Sequence, residues 1–252
     1  MNRRSISLIT SFLYIAIMGV GMYVMHHVFG YSYGQPEMSY VISFFEVGLT
    51  ALSLYTAKEY FGWKLVGFGK FRLKGLWWFL PYVLLIGAML FIFEVDFVKN
   101  MDHLSSRQWR LLAAVAFCTF LVGFSEELVF RGVVLKGFLE KHGVFFSMFM
   151  SAVLFSLLHS VNVFGGMPFI VMLVQLFLTF MMGLAFAALA IKLNNIIPLI
   201  LFHFLWDMIL FSWLVLGSSA AGFVGFLLFL HITVGIPIWI SLRKWRKNAY
   251  AQ

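Results

Sequence analysis

The chain has 252 residues, of which 62% are hydrophobic and only 11% charged, and its formal net charge is +8. A water-soluble domain has roughly a quarter of its residues charged, so this composition excludes a soluble globular protein and points to a surface solvated by lipid. Nor does the positive charge read as a nucleic-acid footprint: the basic residues sit in short segments between apolar runs, where they fix membrane topology.

Apolar runs of spanning length fall at about 6–29, 39–57, 76–95, 110–135, 144–161, 168–191, 196–216 and 222–242. They predict an all-α polytopic transmembrane helix bundle of about eight spanning helices, forming a single integral membrane domain over 1–252. Met1-Asn2-Arg3-Arg4 leads into the first run and no small-residue cleavage site follows, which reads as a retained helix rather than a removed signal peptide. The longest polar stretch, Lys58 to Lys74, is basic and carries Trp63, Phe68 and Phe71; it is expected to lie along the membrane surface. Cys118 is the sole cysteine, so no intrachain disulfide can form.

Orientation follows from Lys and Arg, which concentrate on the cytoplasmic side. With eight alternating helices and both the N- and C-termini cytoplasmic, the inner side takes Arg3, Arg4, the Lys58–Lys74 stretch, Arg131, Lys136, Lys141, Lys192 and the cluster Arg243, Lys244, Arg246 and Lys247. Of the 18 basic residues, only Lys99, Arg107 and Arg110 fall outside. The reading is of a multi-pass protein of the cell membrane, and its small size and short loops make a bacterial plasma membrane the expected home.

Ionisable groups at membrane depth are costly and mark functional sites by default. Three such places stand out. The fourth run holds Ser125-Glu126-Glu127-Leu128-Val129-Phe130-Arg131-Gly132, in which Glu127 and Arg131 are spaced to pair on one helix face. Glu126 lies about 100° further round and is free to face something else. The fifth run holds Phe155-Ser156-Leu157-Leu158-His159, and the seventh holds His203-Phe204-Leu205-Trp206-Asp207, with His203 and Asp207 again on one face. Glu126 and His159 are nearly equidistant in sequence from a turn near His142 and Gly143. Antiparallel helices therefore bring them to one height, and His203 lies about as far past the inner-side Lys192 as Glu126 lies before the inner-side Lys136. A buried salt bridge accounts for Glu127 and Arg131 but leaves Glu126 unexplained. Gly123-Phe124-Ser125 lacks the second Gly of a nucleophile elbow, so Ser125 does not read as a hydrolase serine. His231 reads as a satisfied core residue, His26 and His27 as interfacial, and Cys118 as packing.

The order E-E-x-x-x-R, F-x-x-x-H and H-x-x-x-N or D on three helices resembles the CAAX protease and bacteriocin-processing intramembrane endopeptidases (the CPBP, or abortive-infection, family), over a core of about 109–216. The resemblance implies a peptidase whose site lies within the membrane and opens to the cytoplasm. It implies that Glu126 activates a water, that His159 helps hold it, and that His203 and Asp207 stabilise the oxyanion, with Glu127 and Arg131 in support. Asp207 departs from the Asn form, and an ionised Asp cannot donate a hydrogen bond. It is therefore protonated, or orients His203, or works differently here. The expected partners are a peptide or membrane-protein substrate and the lipid bilayer, not nucleic acid. A metal-free site is favoured over zinc; if a metal is used, Glu126, His159 and His203 would supply it with two imidazoles and a carboxylate. Two other readings stay open: a catalytically inert scaffold or regulator of the same family, and a proton-coupled transporter, against which stands the lack of an internal repeat or paired broken helices.

Overall fold

The structure is a computed structural model, and it describes residues 2–218 and 221–242. The described residues form helices and connecting turns, with no strand among them. The helices are α1 (Arg3–His27), α2 (Met38–Thr56), α3 (Leu76–Asn100), α4 (Ser106–Glu127), α5 (Leu135–Leu139), α6 (Val144–Leu158), α7 (Phe169–Leu193), α8 (Ile197–Val215), α9 (Ala221–Thr233) and α10 (Gly235–Ser241). A π-helical segment, Leu128–Val134, joins α4 to α5, so that Ser106–Leu139 runs as one element. Eight helical segments are long and apolar enough to cross a membrane, as the hydropathy predicted. Phe44, Trp77, Phe91 and Ile170 point outward from them, as a lipid-facing surface requires.

Successive helices alternate in direction, which gives the bundle two ends. At one end Arg3 pairs with Glu140 and also donates to Tyr60 O. Asn194 and Asn195 there donate to the Lys70 and Gly69 carbonyls. This basic end carries residues 57–75, 140–143 and 194–196. At the far end Tyr33 N donates to Gly165 O, and Arg107 pairs with Glu37. That end carries residues 28–37, 101–105 and 166–168.

The Lys58–Lys74 stretch does more than lie on the surface. Its lysines are exposed, but Phe61, Val66 and Gly67 are buried. Gly67 adopts φ 109°, and a Cβ there would come 2.8 Å from Ile196 Cγ2. Two short π-helical turns, Ala57–Phe61 and Lys64–Phe68, tuck this segment under the bundle against Leu128–Val134. Charge placed the lysines; the apolar residues between them close the basic end. Arg131 and Lys136 also differ from the expectation of loop charges, since both are buried. Arg243, Lys244, Arg246 and Lys247 lie outside the described residues.

Candidate functional site

Close approach of α4 and α8 builds the site. A Cβ on Gly123 would fall 2.8 Å from Phe204 N and 3.3 Å from Ile200 O, so only a glycine lets the two backbones meet there. One turn later, Glu126 and Glu127 arrive opposite His203. The chain then widens into the π-helical segment Leu128–Val134, a geometry that recurs at functional sites. On α6 the α-helix ends at Leu158, and His159 opens a 3-10 turn, His159–Gly165.

His203 is the hub. Its Nδ1 is 3.0 Å from Glu127 Oε1, its Nε2 is 3.4 Å from Asp207 Oδ2, and Glu126 Oε2 lies 4.0 Å from the same Nε2. Glu127 Oε1 is also 3.0 Å from Arg131 Nη1, with both residues fully buried, although the pair is not aligned as a hydrogen bond. The guanidinium rests 3.9 Å from the centre of the Phe155 ring, a cation–π contact in a dry setting. His159 Nδ1 is 3.0 Å from Phe155 O. A carbonyl only accepts, so Nδ1 carries the proton and Nε2 is left as an acceptor.

The structure thus brings Glu126, Glu127, His203, Asp207 and Arg131 into one connected cluster. His159 joins them as a wall of the same cavity, of about 530 Å³, that Glu126, His203 and Asp207 line. Glu126 Oε2 is buried without a hydrogen-bond partner among the described residues. Glu127 does more than neutralise Arg131, because it also fixes the His203 ring.

Glu46 on α2, outside the motifs that mark the other candidates, is fully buried one layer behind Glu126. Ser125 Oγ lies 2.9 Å from its Oε2, and Tyr14 Oη is 2.6 Å from Ser125 Oγ. The rule that flags Glu126 applies equally to a lone carboxylate between Phe45 and Val47. A second polar chain lines the cavity wall: Asn162 Nδ2 donates to Gln175 Oε1 at 2.8 Å, and Gln175 Nε2 donates to Tyr33 Oη at 2.7 Å. Desolvation of its hydroxyl pushes Tyr33 up to about 12, so it stays neutral there. His231 contacts Tyr82 Oη through Nδ1 at 3.1 Å, consistent with a core residue, and also borders the cavity.

The cavity lies to one side of the cluster. On α4 it is lined by Cys118, Thr119, Val122 and Glu126, and on α8 from His203 to Leu214; each series leads away from the basic end. Tyr33 and Gly34, in the far-end connection, complete its wall. Glu126 and His203 therefore form the floor of a cavity that extends toward the far end. The cavity and the described basic loops thus lie toward opposite ends of the bundle.

Among the described residues, no three or more His, Cys, Asp or Glu side chains stand where they could hold a metal ion, the set Glu126, His159 and His203 included.

Fold and site together define a multi-pass membrane protein with a buried carboxylate–imidazole centre. Residues 108–209 match the family model described as "Rce1-like: Type II CAAX prenyl endopeptidase Rce1-like". That span contains all three motifs and bears out the resemblance to the CAAX protease and bacteriocin-processing family. Comparison with curated proteins and with solved structures gave no significant match.

Proposed function

We propose that this protein is an intramembrane endopeptidase that hydrolyses a peptide bond of a membrane-associated peptide or protein, using a water activated by Glu126. The observation that carries the reading is the unpartnered Glu126 Oε2 at the floor of the cavity, 4.0 Å from His203 Nε2. The family match supports a peptide-bond hydrolase, and a multi-pass plasma-membrane protein of a bacterium is the setting we assign to it.

The chemistry needs a base for water and donors where negative charge develops. A water between Glu126 and His159 gives its proton to the Glu126 carboxylate while its oxygen attacks the scissile carbonyl carbon. His159 Nε2, an acceptor because Nδ1 donates to Phe155 O, holds the second hydrogen of that water. His203 supplies the donor for the oxyanion. Its two ring nitrogens face carboxylate oxygens, which only accept, so both nitrogens donate or Asp207 itself carries the proton. Collapse of the tetrahedral intermediate breaks the C–N bond, and the proton on Glu126 passes to the leaving amine. Glu127 holds the His203 ring and Arg131 balances Glu127. In this reading every step is carried by the chain's own residues and the water.

The test is cleavage of a peptide library by the purified protein in detergent, with Glu126→Gln beside the wild type. Cleavage present in the wild type and lost in the variant supports the reading. Binding of a partner without cleavage in either would favour an inert scaffold, and solute flux in liposomes a transporter.

A further inference from the structure

The cavity and the basic loops occupy opposite ends of the bundle. On α1, α2 and α6 the lining residues lie in the half nearer the far end, and on α4 and α8 they run from Glu126 and His203 toward that end. On α1 the lining residues are Met18 and Met22 rather than Ile6 or Thr10; on α7 they run from Gln175 to Met182 and stop short of Lys192. At the basic end the space is filled: Val66, Val133, Val134, Leu193 and Leu199 are all fully buried. Among the described residues, Arg3, Arg4, Lys58, Lys64, Lys70, Arg72, Lys74, Lys141 and Lys192 stand at that end, whereas Lys99, Arg107 and Arg110 are the basic residues of the far end. Lys and Arg within short loops set orientation, and they stay in the cytoplasm.

We infer that peptide reaches Glu126 from the extracytoplasmic face of the membrane. This rests on the peptidase reading for the identity of the occupant, but the route itself follows from the cavity and the charge distribution alone. The substrate class is then a peptide that has already crossed the membrane, or the extracytoplasmic end of a membrane helix. The walls select its side chains. Met18, Met22, Met182, Leu210 and Phe211 present an apolar, methionine-rich surface that adapts to bulky apolar residues beside the scissile bond. The polar chain Asn162–Gln175–Tyr33 on the same wall offers its backbone hydrogen-bonding partners.

The test is sided labelling of single cysteines in native membranes. In a Cys118→Ala background, Thr119→Cys and Leu210→Cys place thiols on the cavity wall outside the reacting groups, and Lys64→Cys reports the basic end. A charged, membrane-impermeant thiol reagent on intact spheroplasts should label the two cavity cysteines at least tenfold faster than Lys64→Cys, and inside-out vesicles should reverse the order. Cavity cysteines that label from the same face as Lys64→Cys, from both faces, or from neither would overturn the inference. Labelling does not depend on turnover. If it is sided as expected while no peptide is cut, the peptidase reading fails and the route stands. Reporter fusions give a second measurement: cytoplasmic reporters near residues 65 and 141 should be active and those near 34 and 103 silent, and the opposite pattern would overturn the inference.

Discussion

His203 Nδ1 stands 3.0 Å from Glu127 Oε1, and that same oxygen lies 3.0 Å from Arg131 Nη1. One carboxylate thus links a buried guanidinium to the imidazole at the cavity floor, so its loss acts on stability and on chemistry together. Removing one partner of a buried ion pair costs about 3–5 kcal/mol. Glu127→Ala and Arg131→Ala should therefore lower the thermal midpoint sharply, followed by tryptophan fluorescence in detergent. Glu127→Gln, which keeps an acceptor for His203 Nδ1, should retain more turnover than Glu127→Ala. A midpoint unchanged in Glu127→Ala would show that the pair does not hold the bundle.

Glu126 makes no such tie. Glu126→Gln should leave the midpoint within a degree or two of the wild type and reduce cleavage by at least about 100-fold, the lower range for loss of a general base. His159→Ala and His203→Ala should also abolish cleavage while the protein remains folded. Near-normal turnover in Glu126→Gln would remove Glu126 from the role of base.

Asp207 separates two versions of the chemistry. Its carboxylate faces His203 Nε2 at 3.4 Å and borders the cavity. In the metal-free version Asp207→Asn keeps a group that can donate, so turnover should stay close to the wild type while the acid limb of the pH–rate profile changes. If His203 instead bound a metal, loss of its supporting carboxylate would cost about 10–100-fold. Activity abolished by a strong chelator and restored by Zn²⁺, with Asp207→Asn crippled, would reject the metal-free version.

Gly123 tests the geometry without touching a reacting group. A methyl there meets the Phe204 backbone nitrogen at 2.8 Å, so α4 and α8 must separate, whereas Gly87 on α3 has nothing within 4 Å. Misplacement of reacting groups by about 1 Å can cost 100-fold in rate. Gly123→Ala should lose turnover on that scale and Gly87→Ala should not. Equal activities would show that the α4–α8 approach does not set the Glu126–His203 distance.

Much of this arrangement is written in the sequence, because lipid leaves few options. Spanning helices must be apolar throughout, so their positions follow from hydropathy, and the polar residues that break the pattern are conspicuous. Spacing of four residues on a helix predicts the Glu127–Arg131 and His203–Asp207 pairs, and both are present. The contact between Glu127 and His203 was not legible, because it depends on how α4 rotates against α8 at Gly123. The π-helical turn at Leu128–Val134 has no local signature either; its apolar residues would suit an α-helix equally. Glu46 was legible but passed over, since neither Tyr14 nor Ser125 announces a carboxylate partner. Residues 57–75 read as surface by their lysines, while the burial of Phe61 and Val66 is decided by contacts from distant segments.

The packed basic end has a kinetic consequence. Val66, Val133 and Leu193 are fully buried behind Glu126 and His203, so among the described residues the basic end is packed where the chamber ends. On the peptidase reading with entry from the far end, a peptide cut at the chamber floor would leave along the path it entered, and each new substrate would wait behind the departing fragment. Turnover would then be governed by the escape of product, as in enzymes where release is slower than bond cleavage. The fragment that keeps an apolar anchor would be the slowest to leave those methionine-rich walls and would inhibit its own production.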